Sequence, residues 1–447
     1  MKFQALFPHL DERQRRQTAG AEVRVLGNGG IRMVARAAGI GSCQVTWDKH
    51  SLVCVWFECD EERCLLVLRC TWLRPAAGES SSSAVWGIVA NGGLRPGGED
   101  GVVDKAVNYD VGMRASARWP SRPDFDPVLV RRELEIIKQD LGCSAVRIFG
   151  ESPERLRVAA EFALEAGLGV WLSPDLFNAG RREWLGYLTE CARMAGRLGS
   201  SEVVFVLGRE LTFFMHGLVR GSDAFARMKT FSSMPRLLAN LAVKGSWNRN
   251  LNRFLTAAAA AVREQFDGPV TYASGPWEQV DWAGLDIVAV DLYRDAANAA
   301  AFRDRLRPYL RHGKPVAVTE FGCCTYRGAG EKGGMGWAVV DREAAPSVLA
   351  PGLVRDEHEQ AAYVTDLLKV FQEEGVSAAF AFTFASYSYP HHPEPRHDLD
   401  LAAYGLVTCY RDQSGTTYPE MPWEPKEAFR ALASWGNSAA GRQGSGG

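Results

Sequence analysis

From residue 105 onward, segments with the apolar patterning of buried strands alternate with segments that have the periodicity of amphipathic helices. This alternation constrains the fold most, because strands alternating with helices are typical of a parallel α/β domain. Strand-like segments lie at 105–113, 144–150, 168–178, 202–210, 269–277, 286–295, 315–322 and 377–390. Helices are predicted at 126–142, 152–167, 182–198, 248–266, in a segment ending near residue 311, at 356–374 and at 425–435. Eight such strands together with these seven helices predict a (β/α)8 barrel.

Local signals support these helices. Asp126 stands in the N-cap position before Pro127, and Ser152 stands before Pro153 in the same way. Gly167 marks the end of the second helix. An open doubly wound sheet is the alternative, but it needs a Gly-rich phosphate turn after strand one, and NYDVGMRAS is not one.

The rest of the chain differs from this region. We assign 1–75 to a small helical or poorly structured appendage, 76–103 to a linker rich in Gly and Ser, 104–436 to the barrel, and 437–447 to a disordered tail. At 447 residues, one large domain with an appendage agrees with the length.

Composition excludes several classes of protein. The formal net charge of −2 predicts no field for nucleic acid, and no apolar run is long enough to span a membrane. The N-terminus shows no signal peptide. The ten cysteines include no CxxC pair, and the cluster at 54–70 fits no zinc pattern. We therefore expect reduced thiols, a cytoplasmic location, no cofactor, no metal site and neither a membrane nor a nucleic-acid partner.

Two predicted strands end on a glutamate. KPVAVTEFG (314–322) carries Glu320 directly after its apolar residues, and EVVFVLGRE (202–210) ends on Glu210. Active sites of (β/α)8 barrels lie at the C-terminal ends of the strands, so both carboxylates are expected at the mouth. Retaining glycosidases need two carboxyl groups about 5–5.5 Å apart, one as nucleophile and one as acid/base. A structural carboxylate paired with an arginine is the alternative for either glutamate.

The region 105–435 resembles the superfamily of retaining (β/α)8 glycoside hydrolases, in which the acid/base follows strand four and the nucleophile follows strand seven; KPVAVTEFG is similar to their nucleophile motif. The resemblance implies that Glu210 is the acid/base, that Glu320 is the nucleophile and that the substrate is a carbohydrate or glycoside. It also matches Tyr293, in VDLYRD, to a tyrosine that donates a hydrogen bond to the nucleophile, and Arg147, in AVRIFG, to an arginine near it. A salt bridge at the barrel rim is the alternative for Arg147.

Two positions depart from the pattern of that superfamily. Its members usually carry Asn before the acid/base, where this chain has Arg209, and many end strand eight with Trp, where AFTFASY offers Phe384. A positive charge beside Glu210 would lower the pKa of that carboxyl, whereas a general acid needs a raised pKa. We therefore expect Arg209 to point away from Glu210, toward a substrate group or a neighbouring carboxylate.

Other residues near strand ends fit a sugar site less specifically. Trp277 and Tyr326 are candidates for stacking on a sugar ring, and Asp291 and Asn178 are candidates for binding hydroxyls, as are Asp110 and Asp175. The alternatives are packing for the aromatic residues and an ion pair with Arg294 for Asp291. The histidines of YPHHPEPRHD are expected to be solvated rather than to bind metal. No lysine ends a predicted strand, which argues against Schiff-base chemistry.

Two further segments carry resemblances. The Gly-rich stretch 322–341 is expected to form a wall or lid over the site, and TEFGCCTYRGAG resembles a bacterial barrel family labelled "abortive infection protein", which implies a role in phage exclusion. The segment 7–40 resembles the N-terminus of an insertion-sequence transposase, with GGIRMVARAAGI as the first helix and turn of a helix-turn-helix. Helical periodicity and basic residues are lost after residue 40, so we interpret this segment as a truncated remnant.

The sequence therefore predicts a bacterial, cytoplasmic retaining glycosidase or transglycosidase that uses Glu210 and Glu320. The alternative is a catalytically inactive barrel that acts as a binding or phage-defence protein. The sugar, the linkage and the oligomeric state stay open at this point.

Overall fold

The computed structural model describes residues 103–116, 119–199 and 201–436, together with the backbone of three strands nearer the N-terminus. The chain divides into two units, Met1–Trp86 and Gly87–Gly447. In the first unit, Cys43–Trp47, Leu52–Cys59 and Glu62–Arg69 form an antiparallel sheet. Sequence analysis predicted no strands there, although LVCVWFEC is rich in β-branched and aromatic residues. The predicted helix-turn-helix at 7–40, the linker up to residue 102 and the tail at 437–447 lie outside the described residues.

The second unit is a closed ring of eight parallel strands, which confirms the predicted (β/α)8 barrel. Each strand pairs with the next along the chain, and the last pairs with the first. The strands are β1 Asp104–Gly112, β2 Ala145–Gly150, β3 Gly169–Pro174, β4 Val203–Arg209, β5 Val270–Ser274, β6 Val288–Asp291, β7 Val316–Phe321 and β8 Ala378–Ala381. Strands three and eight end well before the predicted 178 and 390, because the residues beyond them leave the ladder and form the loops of the mouth.

Ten helices are found in the described residues of this unit: α1 Pro127–Gln139, α2 Pro153–Glu165, α3 Arg181–Leu198, α4 Leu211–Phe214, α5 Ala224–Phe231, α6 Met234–Lys244, α7 Trp247–Arg263, α8 Phe302–Leu310, α9 Glu357–Glu374 and α10 Glu427–Ser434. The predicted caps are confirmed, since Asp126 and Ser152 accept hydrogen bonds from the first turns of α1 and α2. Between β4 and the helix predicted at 248–266, the chain forms three helices that the sequence did not predict, α4, α5 and α6.

Shorter elements complete the barrel unit. Three antiparallel ribbons pair Arg114–Ser116 with Trp119–Pro120, Val340–Asp341 with Val348–Leu349, and Val407–Cys409 with Trp423–Pro425. Single turns of 3₁₀ helix lie at Trp282–Gly284, Ala299–Ala301, Gly333–Val339 and Leu399–Ala402.

Small side chains fill the lower barrel interior. Alanines from six strands contact two large rings, Trp171 of β3 and Phe380 of β8, whose centroids lie 4.8 Å apart. These rings close the floor of the barrel. Side chains alternate along a strand, so the next inward positions on β1, β2 and β3 are Asn108, Arg147 and Ser173, and all three are buried. The interior therefore changes from apolar to polar toward the mouth.

Irregular pairing directs two charged side chains inward. On β7, Val318 packs in the outer core, yet Glu320 also reaches the interior, because the register with both neighbouring strands shifts between these positions. On β4, the register with β5 shifts beside Gly208, which has φ +103°. Such bulges re-aim side chains next to active sites. Arg209 and Glu320 thus enter the same interior space.

The described residues were also searched for membrane-spanning helices and for free thiols. No helix there is both long and apolar enough to cross a membrane. The five cysteines in that part, at 143, 191, 323, 324 and 409, are buried free thiols. Burial raises the pKa of Cys143 to about 12, so this thiol is unreactive at neutral pH.

A chain that lacks residues 1–100 is expected to fold, because all eight barrel strands begin after residue 103. Circular dichroism should show a cooperative thermal transition for this truncated chain. As the control, a chain that lacks residues 1–112 loses β1 and should be unfolded, since the ring is then open. Insoluble protein from the first truncation, with the full chain soluble, would contradict the expectation.

Candidate active site

The site centres on Glu320, at the end of β7. Its side chain is buried, with only 4% of the residue exposed. Oε1 accepts hydrogen bonds from Nη1 of Arg147 at 2.9 Å and from Nη1 of Arg209 at 3.2 Å. Oε2 accepts a hydrogen bond from the Tyr293 hydroxyl at 3.0 Å. Charge-assisted hydrogen bonds of this kind stabilise the ionised carboxylate.

Arg147 is fixed from below. Its Nη1 also donates to Oδ1 of Asn108 at 3.1 Å, and its Nε donates to the Ser173 hydroxyl at 3.3 Å. Asn108 in turn donates to the carbonyl of Thr319 at 2.9 Å. The structure thus brings Arg147 and Tyr293 to Glu320, as the sequence predicts for both residues. A direct role of either in substrate binding stays a prediction.

Arg209 points away from Glu210, in agreement with the expectation from the sequence. Its Nε donates to Oδ2 of Asp175 at 2.7 Å, and its Nη1 reaches Glu320. The guanidinium also lies over the rings of Phe149 and Phe214, at 5.3 Å and 5.1 Å from their centroids. Arg209 therefore bridges two buried carboxylates, those of Asp175 and Glu320.

Glu210 differs from Glu320 in its backbone conformation, its hydrogen bonding and its pKa. It follows β4 with φ +40° and ψ +43°, a left-handed conformation that costs a residue with a Cβ about 1–2 kcal/mol. Among the described residues, no side chain or backbone group hydrogen-bonds to its half-buried carboxyl. Burial raises the pKa of Glu210 well above its usual range, Asp291 and Glu320 raise it further, and Arg209 lowers it. The environment of Glu210 therefore favours its protonated form.

Asp291 ends β6, in register with Glu320. It is 1% exposed, and neither of its oxygens accepts a hydrogen bond of normal geometry. Burial raises the pKa of Asp291 well above its usual range, and the charge of Glu320 adds to this effect. The alternative pairing with Arg294 is wrong, because Arg294 pairs with Asp366. Asp291 raises the pKa of Glu210, and its predicted contact with substrate hydroxyls stays a prediction.

The other candidate sugar contacts are engaged elsewhere. Trp277 is partly buried against Phe213, with ring centroids 4.4 Å apart, and its Nε1 donates to the Thr212 hydroxyl at 2.9 Å. Asn178 is exposed, and its Oδ1 accepts a hydrogen bond from Arg227. Stacking by Trp277 and hydroxyl binding by Asn178 stay predictions.

Tyr326 lies inside the loop that follows β7. Only 3% of it is exposed, and its hydroxyl donates to the Gly336 carbonyl at 3.1 Å. Such burial agrees with packing, the alternative given for this ring from the sequence, and its stacking on a sugar stays a prediction.

At the end of β8, the aromatic residue at the mouth is Phe382 rather than Phe384. Phe384 is fully buried and packs outward against Trp423, with centroids 5.3 Å apart. Phe382 stands above Phe380 and stacks on Phe149 at 6.0 Å with an interplanar angle of 23°. The sequence motif contains both rings, and simple alternation could not show which one faces the site.

The Gly-rich segment after β7 forms a wall. The amide of Gly336 donates to the Tyr404 hydroxyl at 3.0 Å, and that hydroxyl donates to the Gly333 carbonyl at 2.6 Å. Gly334 lies against Tyr293 so closely that a Cβ there would be 3.1 Å from the ring. The Gly333–Val339 turn supports the tyrosine that contacts Glu320.

No group of three or more His, Cys, Asp or Glu side chains in the described part could hold a metal ion. His391 lies 3.0 Å from Asp398 through Nδ1, and His397 lies 3.7 Å from Glu394. These are pairwise contacts in the loop after β8.

Sequence analysis missed one residue of the site. Glu278, in the loop after β5, is buried and accepts hydrogen bonds from Thr212, Tyr272 and Gly275. Only its closeness to the end of the predicted strand at 277 could have indicated it. Asp175 was considered as a hydroxyl-binding residue, whereas it is the partner of Arg209.

A scan against protein-family models finds no match, and a search of curated proteins also finds none. Among solved structures, the chain is similar to a GH113 beta-1,4-mannanase, with 14% identity over 75% of this chain and 99% of that one and a TM-score of 0.48. It is also similar to fungal beta-1,4-galactanases, with 16% identity over 67% of this chain and 90% of that one and a TM-score of 0.41. A further similar structure is an endo-1,4-beta-D-mannanase from Thermotoga petrophila RKU-1, with 11% identity over 75% of this chain and 99% of that one and a TM-score of 0.40. At these values the neighbours carry no functional argument, and the barrel assignment rests on the closed ring of strands.

The Arg209–Asp175 pair yields a stability prediction. Arg209→Met leaves the Asp175 carboxylate buried without its partner, so the free energy of unfolding should fall by about 3–5 kcal/mol. The double variant with Asp175→Asn should recover a large part of this loss. Urea unfolding at pH 7 measures all three proteins. The control is Arg157→Met, which removes an exposed pair with Glu154 and should cost no more than about 1 kcal/mol. A double variant no more stable than Arg209→Met would contradict the pairing argument.

Proposed function

We propose that this chain is a retaining glycoside hydrolase in which Glu320 is the nucleophile and Glu210 is the acid/base. The observation that carries the proposal is the contrast between the two carboxyls at the ends of β4 and β7. Glu320 accepts hydrogen bonds from two guanidinium groups and a tyrosine, whereas the side chain of Glu210 accepts none from the described residues and has a raised pKa. Environments that drive two carboxyls into opposite protonation states are typical of acid/base and nucleophile pairs.

The nucleophile needs a free lone pair. Both lone pairs of Oε1 of Glu320 face arginines, while Oε2 accepts only the hydrogen bond from Tyr293. Oε2 is therefore the atom that attacks. Its new bond to the anomeric carbon forms as the bond from that carbon to the glycosidic oxygen breaks, with the electron pair leaving on oxygen.

The acid/base acts twice. Glu210, protonated in the resting enzyme, gives its proton to the departing glycosidic oxygen. The resulting carboxylate then takes a proton from water as the water oxygen attacks the anomeric carbon and the bond to Glu320 breaks. Glu210 is thus protonated again and Glu320 is again a carboxylate, so that each turnover restores both groups.

One feature favours the alternative of an inactive binding barrel. Glu320 is almost inaccessible, and two arginines on one carboxylate lower its nucleophilicity. In this case the same mouth would bind a saccharide without cleaving it. The phage-exclusion role implied by the resemblance of TEFGCCTYRGAG stays a hypothesis, as does a cytoplasmic location.

Variants of the two glutamates decide between these functions. A screen of nitrophenyl glycosides first identifies a substrate, with Glu320→Gln as the inactive control. Glu320→Ala should then reduce turnover by several orders of magnitude, since the covalent route is lost. Glu210→Ala should lose less activity on the nitrophenyl substrate, because a good leaving group needs no proton.

Azide distinguishes the two roles further. Added to Glu210→Ala, azide should attack the glycosyl-enzyme, restore part of the rate and give a glycosyl azide of retained configuration. Added to Glu320→Ala, it should give the inverted product. Product configuration is measured by proton NMR. A wild type that inverts, or two alanine variants with full activity, would exclude the retaining mechanism. Saccharide binding without hydrolysis would support the inactive barrel.

The raised pKa of Glu210 predicts the pH dependence. The general acid must be protonated, so kcat/KM should fall as pH rises through the pKa of Glu210 in the free enzyme. The charges that face Glu210 are those of Asp291, Glu320, Arg209 and Glu278. Asp291→Asn removes one negative charge, so Glu210 should lose its proton at lower pH and the alkaline limb should move to lower pH. Asp304→Asn, on the exposed face of α8, is the control and should leave the limb in place. If Asp291→Asn leaves the alkaline limb of the kcat/KM profile in place, or moves it to higher pH, then Asp291 does not raise the pKa of Glu210.

A further inference from the structure

We propose that Glu278 is a positioning residue for Glu210, an inference that rests on the acid/base role proposed above. Glu278 is buried in the loop after β5, and its described hydrogen-bond partners belong to two groups. One is Thr212, two residues after Glu210, and the other comprises Tyr272 of β5 and Gly275 of the loop that follows it. Glu278 therefore ties the backbone next to the acid/base to the barrel wall.

The contacts form a closed network, which we call the clamp and define by Tyr272, Glu278 and Thr212. Oε1 of Glu278 accepts hydrogen bonds from the Thr212 amide at 3.0 Å and the Thr212 hydroxyl at 2.7 Å. Oε2 accepts from the Tyr272 hydroxyl at 2.7 Å and the Gly275 amide at 3.0 Å. The Tyr272 hydroxyl also accepts a hydrogen bond from the Leu211 amide at 2.7 Å. The clamp thus holds the two amides that follow Glu210.

The clamp stabilises an unfavourable backbone conformation at Glu210. Glu210 has a positive φ, which a residue with a Cβ keeps only when the surrounding structure imposes it. On its N-terminal side, the Glu210 amide donates to the Ala273 carbonyl of β5 at 3.0 Å. On its C-terminal side, the Leu211 and Thr212 amides are held by Tyr272 and Glu278. With both sides fixed to β5 and its loop, the direction of the Glu210 side chain is fixed without any hydrogen bond to its carboxyl.

A carboxylate suits this position better than an amide. Each oxygen of Glu278 accepts one backbone N–H, from Thr212 or from Gly275, and backbone N–H groups cannot become acceptors. In Glu278→Gln, either orientation of the amide directs its NH2 group at one of these N–H groups. The size of the side chain is unchanged, but the clamp must open on one side. Tyr272→Phe is a milder change, since it removes one acceptor for Leu211 and one donor to Glu278.

Leaving-group dependence distinguishes positioning of the acid from general support of the fold. Wild type and variants are compared on a nitrophenyl glycoside and on the unsubstituted phenyl or methyl glycoside of the same sugar. Only the poorer leaving groups need a proton. A displaced general acid should lower kcat/KM for them by about 10–100-fold relative to the nitrophenyl substrate, within the contribution expected of general acid catalysis. We expect this selective loss in Glu278→Gln and a smaller one in Tyr272→Phe.

Glu133→Gln is the matched control. Glu133, on α1, is also a buried carboxylate with four partners, namely Arg122, Trp423, Tyr109 and Tyr387. It contacts none of the clamp residues through these bonds. Its glutamine variant should lower the thermal midpoint, while the ratio of kcat/KM values for the two substrates stays at the wild-type value.

The outcomes separate the clamp from the proposed function. If Glu278→Gln lowers kcat/KM equally for both substrates, the positioning role is overturned. If Glu278→Gln does not fold, a ratio of the two kcat/KM values that Tyr272→Phe leaves unchanged would overturn it instead. A wild type that cleaves no glycoside would overturn the proposed function instead. In that case hydrogen exchange still tests the clamp. Glu278→Gln should accelerate hydrogen exchange of the Leu211 and Thr212 amides, whereas Glu133→Gln should leave it unchanged. Unchanged protection of both amides in Glu278→Gln would overturn the clamp.

Discussion

The mouth of this barrel depends on one ion triad, in which Arg209 lies between Asp175 and Glu320. Both carboxylates are buried, and a buried charge without a partner is strongly destabilising. Arg147 adds a second positive charge to Glu320 from the layer below. With two guanidinium groups for two carboxylates, the interior reaches charge balance without solvent, and a further charged carboxyl there is disfavoured. The raised pKa values of Glu210 and Asp291, which burial causes first and neighbouring carboxylates increase, agree with this balance.

Backbone irregularities make the triad possible. A regular β7 would direct Glu320 outward, toward the helices, and a regular β4 would do the same to Arg209. The register shifts on both strands turn these side chains inward, and Gly208 supplies the positive φ that one of the shifts requires. The charged side chains at the mouth are therefore located where the strands depart from ideal geometry. The apolar floor formed by Trp171 and Phe380 keeps the regular alternation of inward and outward side chains.

The sequence was sufficient for the barrel and for the place of the two glutamates at strand ends, because both follow from local patterns: alternating periodicity and a carboxylate at the end of an apolar run. It was insufficient wherever partners come from different strands. Asp175 and Arg209 are 34 residues apart, and only closure of the sheet brings them together. Glu278 escaped notice for the same reason, since its partners lie on both sides of the long insertion after β4. Phe382 and Phe384 could not be distinguished, because the pleat is lost where β8 ends.

Arg209 occupies a position where a neutral residue would leave the acid undisturbed, yet it does not abolish the raised pKa of Glu210. Its guanidinium pairs with Asp175, and although Arg209 lowers the pKa of Glu210, burial, Asp291 and Glu320 keep that pKa raised. Arg209 and Asp175 therefore act as a unit: without Asp175, the arginine would favour ionised Glu210, and without Arg209, Asp175 would be an unpaired buried charge. The arginine is compatible with a general acid because the end of β3 carries its counter-charge.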